Sequence, residues 1–346
     1  MSKQPFSKIT ITALSLASLL VNASSVRAQS DRVYPLTGSA IIGAVAKTDA
    51  QGIQVKRGSN TTNLLAGEIR KILFEGDPSA LTKGREFALD GQHEEALKEL
   101  NGIDLDSLPR EVIKADTEFY KAFSQSQLAL AGRGDKKAAA AAMLGFASKH
   151  RDSWHFYEAA KVVGDLALSL GNTKDALKFY GALSRAPAVP TQIESVYWTG
   201  MTHLAANDIA AANTEFDKIL VLKVDSVAAA RLQSLAKAGK ATALAKSDQA
   251  DEGLDLISGL VADMSSSDVE MAARVYNSQG AIYEAKGDIE GAILAYLHTH
   301  LMFSSQSDAH AIALSKLVEL WPKVGKPQRA AEARDELKQR YPGFGS

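Results

Sequence analysis

The stretch from Ala273 to Ser304 constrains this chain more than any other. Tyr276, Gly280 and Tyr283 recur at spacings of four and three, which places them on one face of a helix. Gly287-Asp288 breaks the pattern, and Ala292 and Tyr296 then stand four apart on a second helix. The small residues Gly280 and Ala292 let the two helices approach closely, and the large rings fill the space on either side. A unit of this size cannot bury its own apolar face, so it predicts neighbours of the same kind.

Those neighbours are present in register. With Gly287 as the mark of the turn, a Gly or Asn followed five residues later by Ala recurs as Gly91 with Ala96, Gly134 with Ala139, Gly171 with Ala176, Asn207 with Ala212 and Gly325 with Ala330. Four residues beyond the alanine stand Leu100, Met143, Tyr180 and Phe216, while the last unit has Arg334. Seven residues before the mark a glycine recurs at Gly84, Gly164, Gly200 and Gly280, with Gln127 and Val318 as departures. A less regular unit lies between Asn207 and Gly287. There Gly239 fits the small position of the first helix, and Gly253 fits the alanine position if the turn has one or two extra residues. The sum is seven helical pairs over residues 77–346. Pro109, Pro187 and Pro190 fall between units, where a helix must stop. Pro322 falls inside a first helix and is expected to kink or end it.

This alternation of large and small positions about a turn resembles the tetratricopeptide (TPR) repeat. The resemblance implies a mainly α fold, a TPR-like α-solenoid. It also implies that the first helices of successive units line a concave groove in which extended peptides or helices dock. Carried over by register, the groove positions are Glu158, Lys161 and Asp165 in the third unit, Glu194, Tyr197 and Met201 in the fourth, and Arg274, Asn277 and Glu284 in the sixth. TPR proteins that clamp the C-terminal carboxylate of a chaperone use a Lys/Asn/Arg set. The second-unit positions here are Lys121, Ser124 and Leu128, so that partner is not expected.

The N-terminus has a different texture. Lys3 and Lys8 precede an apolar run, Ile9 to Val21, and Val26-Arg27-Ala28 supplies small residues before a cut. These are the three parts of a secretory signal peptide spanning residues 1–28, with Gln29 beginning the mature chain. The run is short of the roughly 20 residues that span a bilayer. Residues 29–76 then alternate short β-capable runs with Gly, Asn and Asp turns, which reads as a small antiparallel β module of four or five strands. Its pattern resembles small SH3-like or Sm-like barrels. Glu68 to Leu73 fits either a last strand or a short helix.

Composition narrows the chemistry. A net charge of -1 gives no basic excess for nucleic acid. The absence of cysteine excludes a disulfide, a thiolate metal site and a cysteine nucleophile. Lys237-Ala238-Gly239-Lys240 lacks the glycine at 234 that a phosphate-binding loop needs. His298, His300 and His310 are the densest histidine group, but residues two apart on a helix point to different sides, so no metal site is expected there. No catalytic set and no cofactor are expected. The sequence therefore predicts an exported, non-enzymatic scaffold of the periplasm or cell envelope that binds other proteins or peptides. A self-assembling envelope component, with homo-oligomers, and an envelope-polymer hydrolase are the alternatives.

Overall fold

The computed structural model describes residues 30–265, 267–342 and 344. The expected signal peptide, with its cut between Ala28 and Gln29, lies outside the described residues. The described residues open with five strands: β1 (Asp31–Pro35), β2 (Ile41–Asp49), β3 (Gly52–Arg57), β4 (Asn60–Leu65) and β5 (Ile69–Leu73). They form one antiparallel sheet in the order β4-β3-β2-β1-β5. The segment with two possible readings, Glu68 to Leu73, is a strand from Ile69 onward. Val33 of β1 pairs with Ile72 of β5, and both are fully buried, the environment that β-branched side chains suit.

Among the described residues fourteen helices follow in seven pairs. They are α1 (Ser79–Leu89) with α2 (His93–Asn101), α3 (Glu111–Leu130) with α4 (Lys136–Lys149), and α5 (Phe156–Ser169) with α6 (Thr173–Ala182). Next come α7 (Val189–Ala205) with α8 (Ile209–Leu220), α9 (Val227–Ala245) with α10 (Ala250–Asp263), α11 (Val269–Ala285) with α12 (Ile289–Met302), and α13 (Ser307–Leu320) with α14 (Pro327–Arg340). In four of the pairs a glycine of the first helix is the seat for one large side chain of its partner. A Cβ added at Gly84 would lie 2.6 Å from Leu100, at Gly164 2.6 Å from Tyr180, at Gly200 2.8 Å from Phe216, and at Gly280 2.7 Å from Tyr296.

The turns carry left-handed residues at Gly91, Gly171, Asn207, Gly287 and Gly325, as their positions predict. Two turn marks differ. In the second unit the left-handed residue is Gly132, not Gly134, because α3 ends at Leu130. In the fifth unit it is Asp248, and Gly253 then stands five residues on with no extra turn residue. Gly239 has a different use from the one expected. A Cβ added there would lie 2.5 Å from Phe216 of the preceding unit, and one added at Gly253 would meet the backbone oxygen of Ala241. Pro322 ends the regular helix: α13 stops at Leu320 and a tight 3-10 turn covers Trp321–Val324.

First helices pack on the next first helix along much of the array: α1 on α3, α3 on α5, α7 on α9, α9 on α11 and α11 on α13. This sets them on the inner side of the curve. The sheet lies along the starts of several of them, beyond the first pair alone. Arg110, just before α3, holds Asp31 of β1 with nitrogens at 2.6 and 3.2 Å. Gln51 donates to the Tyr157 hydroxyl of α5 at 3.2 Å, and Gly67 abuts Ala188 and Thr191 at the start of α7. Sheet and first units share one core, which runs from Val33 and Ile72 through Phe119 to Leu166. At the other end the array curls back. Gly132 of the second unit lies against the carbonyl oxygen of Arg340, the last residue of α14.

Candidate partner-binding groove

Trp198 of α7 is the centre of the inner face. It is 7% exposed, and its ring stacks on Tyr180 of α6 with centroids 5.5 Å apart. Two cations sit against the ring: Lys161 Nζ at 4.8 Å from α5 and Arg274 Cζ at 4.9 Å from α11. Each adds cation–π attraction to its ion pairs. The indole N–H donates to Glu194 at 3.3 Å, one helical turn earlier. Lys161 also binds Asp165 at 2.9 Å, and Asp165 accepts from the Tyr180 hydroxyl at 2.8 Å.

From Arg274 the network runs outward. It reaches Glu270 on its own helix at 3.2 Å and Asp308 of α13 at 2.9 Å. Arg231 of α9 holds Asp268 at 2.6 Å and Glu270 at 2.8 Å. Five consecutive units therefore contribute to one band of alternating charge. Burial opposes the charge on Lys161, but the carboxylates of Asp165 and Glu194 outweigh it and hold the ammonium above its usual range. Burial pushes the Glu194 carboxyl up, against the pull of Lys161. Burial pushes Glu270 up as well, but Arg274 and Arg231 bring it below the usual carboxylate range. The band is not sealed. Asp308 is 52% and Arg231 36% exposed at the side chain.

Of the nine positions read from register, Lys161, Asp165, Glu194 and Arg274 are brought together around Trp198. Glu158 lies apart, exposed beside His155. Tyr197 is 1% exposed and belongs to the core, its hydroxyl without a hydrogen-bond partner among the described residues, and Met201 packs on the same core. Asn277 and Glu284 bind the seventh unit. Asn277 donates to the Ala309 carbonyl at 2.8 Å, and Glu284 accepts from Tyr296 at 2.7 Å and Lys316 at 3.3 Å. Trp198, Arg231, Glu270 and Asp308 were not among the nine. Glu270 was legible, because it stands one helical turn before Arg274. Arg231 was hidden by the irregular fifth unit, and Asp308 belongs to a helix start whose register Pro322 obscures.

A second polar cluster lies behind the sheet. Arg85 of α1, fully buried, binds Asp77 at 3.0 Å and Asp116 of α3 at 2.6 Å. His155 meets Asp116 at 2.9 Å, stacks on Phe119 with centroids 3.6 Å apart and lies tilted against Trp154 at 3.7 Å. His155, at the start of the third unit, thus packs on the second unit. Burial works against the His155 charge, but Asp116 and Glu158 hold its pKa above the usual value. On the outer side, a hollow of about 350 Å³ between α4, α5 and α6 is lined by Lys137, Leu144, Leu170, Asp175 and Phe179.

Seven stacked helical pairs with an inner charged band make this a TPR-like α-solenoid, preceded by a small antiparallel sheet. The chain is similar in structure to a tetratricopeptide repeat protein from Parabacteroides merdae, with a TM-score of 0.51 and 18% identity over 75% of this chain and 91% of that one. It is also similar to MamA (41-end) from Desulfovibrio magneticus RS-1, with a TM-score of 0.29 and 20% identity over 55% and 97% of the two chains. A third similar structure is the TPR domain of P58(IPK), with a TM-score of 0.25 and 15% identity over 75% and 73%. At these identities the likeness is one of fold, and only the first is close enough in shape to count. No family model matches the chain, and no curated protein matches it. Among the described residues no helix is long and apolar enough to cross a membrane.

Proposed function

We propose that this protein is a non-enzymatic scaffold that holds segments of other proteins along the inner face of its solenoid. The observation that carries the reading is the band around Trp198. No single unit owns it, its charges alternate, and its outer members Asp308 and Arg231 stay open to solvent. A segment lying along it exchanges its own charged groups for these rim contacts, while the desolvated centre sets specificity. The hollow on the outer side offers one lysine, one asparagine and one aspartate among apolar residues, which supports binding over hydrolysis. The N-terminal run, Lys3 to Ala28, supports export to the periplasm or cell envelope. N-terminal sequencing of the purified protein is then expected to start at or near Gln29.

A photo-crosslinking residue at Asp308, on the inner rim, and another at Glu332, on the exposed side of α14, test the groove in the native host. Discrete adducts are expected from position 308, absent from 332 and lost when Glu194→Lys is added. The same adducts from both positions would refute the groove. The self-assembly reading has one observation behind it. Leu294, Leu301 and Met302 share a face of α12 and are 60–70% exposed. Light scattering across a concentration series separates it, since a constant monomer mass removes it.

A further inference from the structure

The last three helices bring together residues that the sequence keeps apart. His300 is near the end of α12, His310 is in α13, and Glu336 is in α14. His300 Nδ1 lies 2.8 Å from His310 Nε2. His310 Nε2 is 3.8 Å from Glu336 Oε1, and His300 Nε2 is 3.9 Å from Glu336 Oε2. One ligand atom from each of the three residues falls within 4.8 Å of the other two. His310 is fully buried, and its other nitrogen, Nδ1, meets the hydroxyl of buried Tyr341 at 2.7 Å. With the Nδ1 hydrogen donated to Tyr341, the Nε2 lone pair turns toward His300 and Glu336. An outer partner that fixes the tautomer of a ligating histidine is the usual support of a metal centre.

We propose that His300, His310 and Glu336 form a divalent-cation site of the zinc type, with water in the fourth position. Two imidazoles and one carboxylate suit a borderline-soft ion and are poor ligands for magnesium or calcium. In a tetrahedral zinc site ligand atoms stand roughly 3.3 Å apart, given metal–nitrogen bonds of about 2.0–2.1 Å. The two nitrogens need to part slightly and the carboxylate to close slightly. His300 ligates through Nδ1 once its hydrogen is on Nε2. Arg340 competes, because it holds Glu336 at 3.1 Å. That pair is half exposed and one helical turn long, so it yields readily. His298 takes no part, since its ring stacks on Tyr276 at 4.4 Å. The sequence does not show this grouping, because Glu336 is remote in the chain and reaches the histidines only once α14 folds back. A bound ion staples the terminal pair to α12 and fixes the end of α14, which touches Gly132.

The test titrates zinc alone into the full protein after chelator treatment and gel filtration, by calorimetry and by X-ray absorption. One ion per chain is expected, with two imidazoles and one carboxylate in its shell. His300 and Glu336 are 22% and 33% exposed, so His300→Ala and Glu336→Gln are expected to fold, which circular dichroism checks. Each is expected to weaken binding by at least about tenfold. Arg340→Gln, which removes the competitor, is expected to tighten it. No binding at micromolar zinc, or equal affinity in wild type and both ligand variants, overturns the site and leaves a histidine pair that shares a proton.

Discussion

At the scale of single residues the array depends on contacts between a glycine and one large side chain. Gly280→Ala places a methyl 2.7 Å from the Tyr296 ring, so the two helices must separate or the ring must leave its rotamer. A loss of about 1–3 kcal/mol is expected, the usual result of overpacking, and urea denaturation measures it. Asp248 offers the opposite case, a side chain held at φ 58 in a turn where most of the other units have glycine. Asp248→Gly relieves that strain and is expected to stabilise by roughly 0.5–1 kcal/mol. These positions also show what was legible. Gly84, Gly164, Gly200 and Gly280 could be read in register because packing demands a small residue at a fixed distance from the turn. The turn of the fifth unit was obscured because aspartate can also take the left-handed conformation. The inner-face residues are less constrained by packing. Register therefore found Lys161 and Arg274 but also returned Tyr197, which the core absorbs.

At the scale of elements the join between sheet and solenoid rests on the cluster of Arg85, Asp77, Asp116 and His155. It pins α1, α3 and the start of α5 behind the strands. Burial lifts the Asp77 carboxyl from 3.8 to about 6 in spite of Arg85, and one of its oxygens has no hydrogen-bond partner among the described residues. The folded chain therefore holds this proton more tightly than the unfolded chain does. Stability from this group is full at low pH and falls as pH rises from about 4 through 6, because the unfolded chain ionises first. Asp77→Asn cannot titrate. The stability of the wild type relative to this variant is expected to fall by about 1–3 kcal/mol between pH 4 and pH 7, each pKa unit being worth about 1.4 kcal/mol. Urea midpoints at the two ends of that range measure the gap, and parallel curves would show that Asp77 ionises normally.

At the scale of the whole molecule the open question for any solenoid is what sets its curvature. A stack of units held only by nearest neighbours is free to flex along its length. This chain adds contacts that skip units. Arg274 of the sixth unit rests on Trp198 of the fourth, and the end of α14 in the seventh meets Gly132 in the second. The first narrows the inner face, and the second closes the curve. Gly132 and Gly91 separate closure from local strain, because both are left-handed, at φ 79 and 76. Alanine at either position costs roughly 1 kcal/mol through the backbone. Beside Gly91 there is open space, whereas a methyl at Gly132 runs into the Arg340 carbonyl. Gly132→Ala is therefore expected to push α14 away and enlarge the radius of gyration in small-angle scattering, while Gly91→Ala leaves it unchanged. Hydrogen exchange in the Gly132→Ala protein is expected to rise at the end of α14 and in the turn after α3, at sites far apart in sequence. If the two variants scatter alike, the curvature comes from the unit-to-unit packing alone. The inner face would then open and close without help from the chain's end.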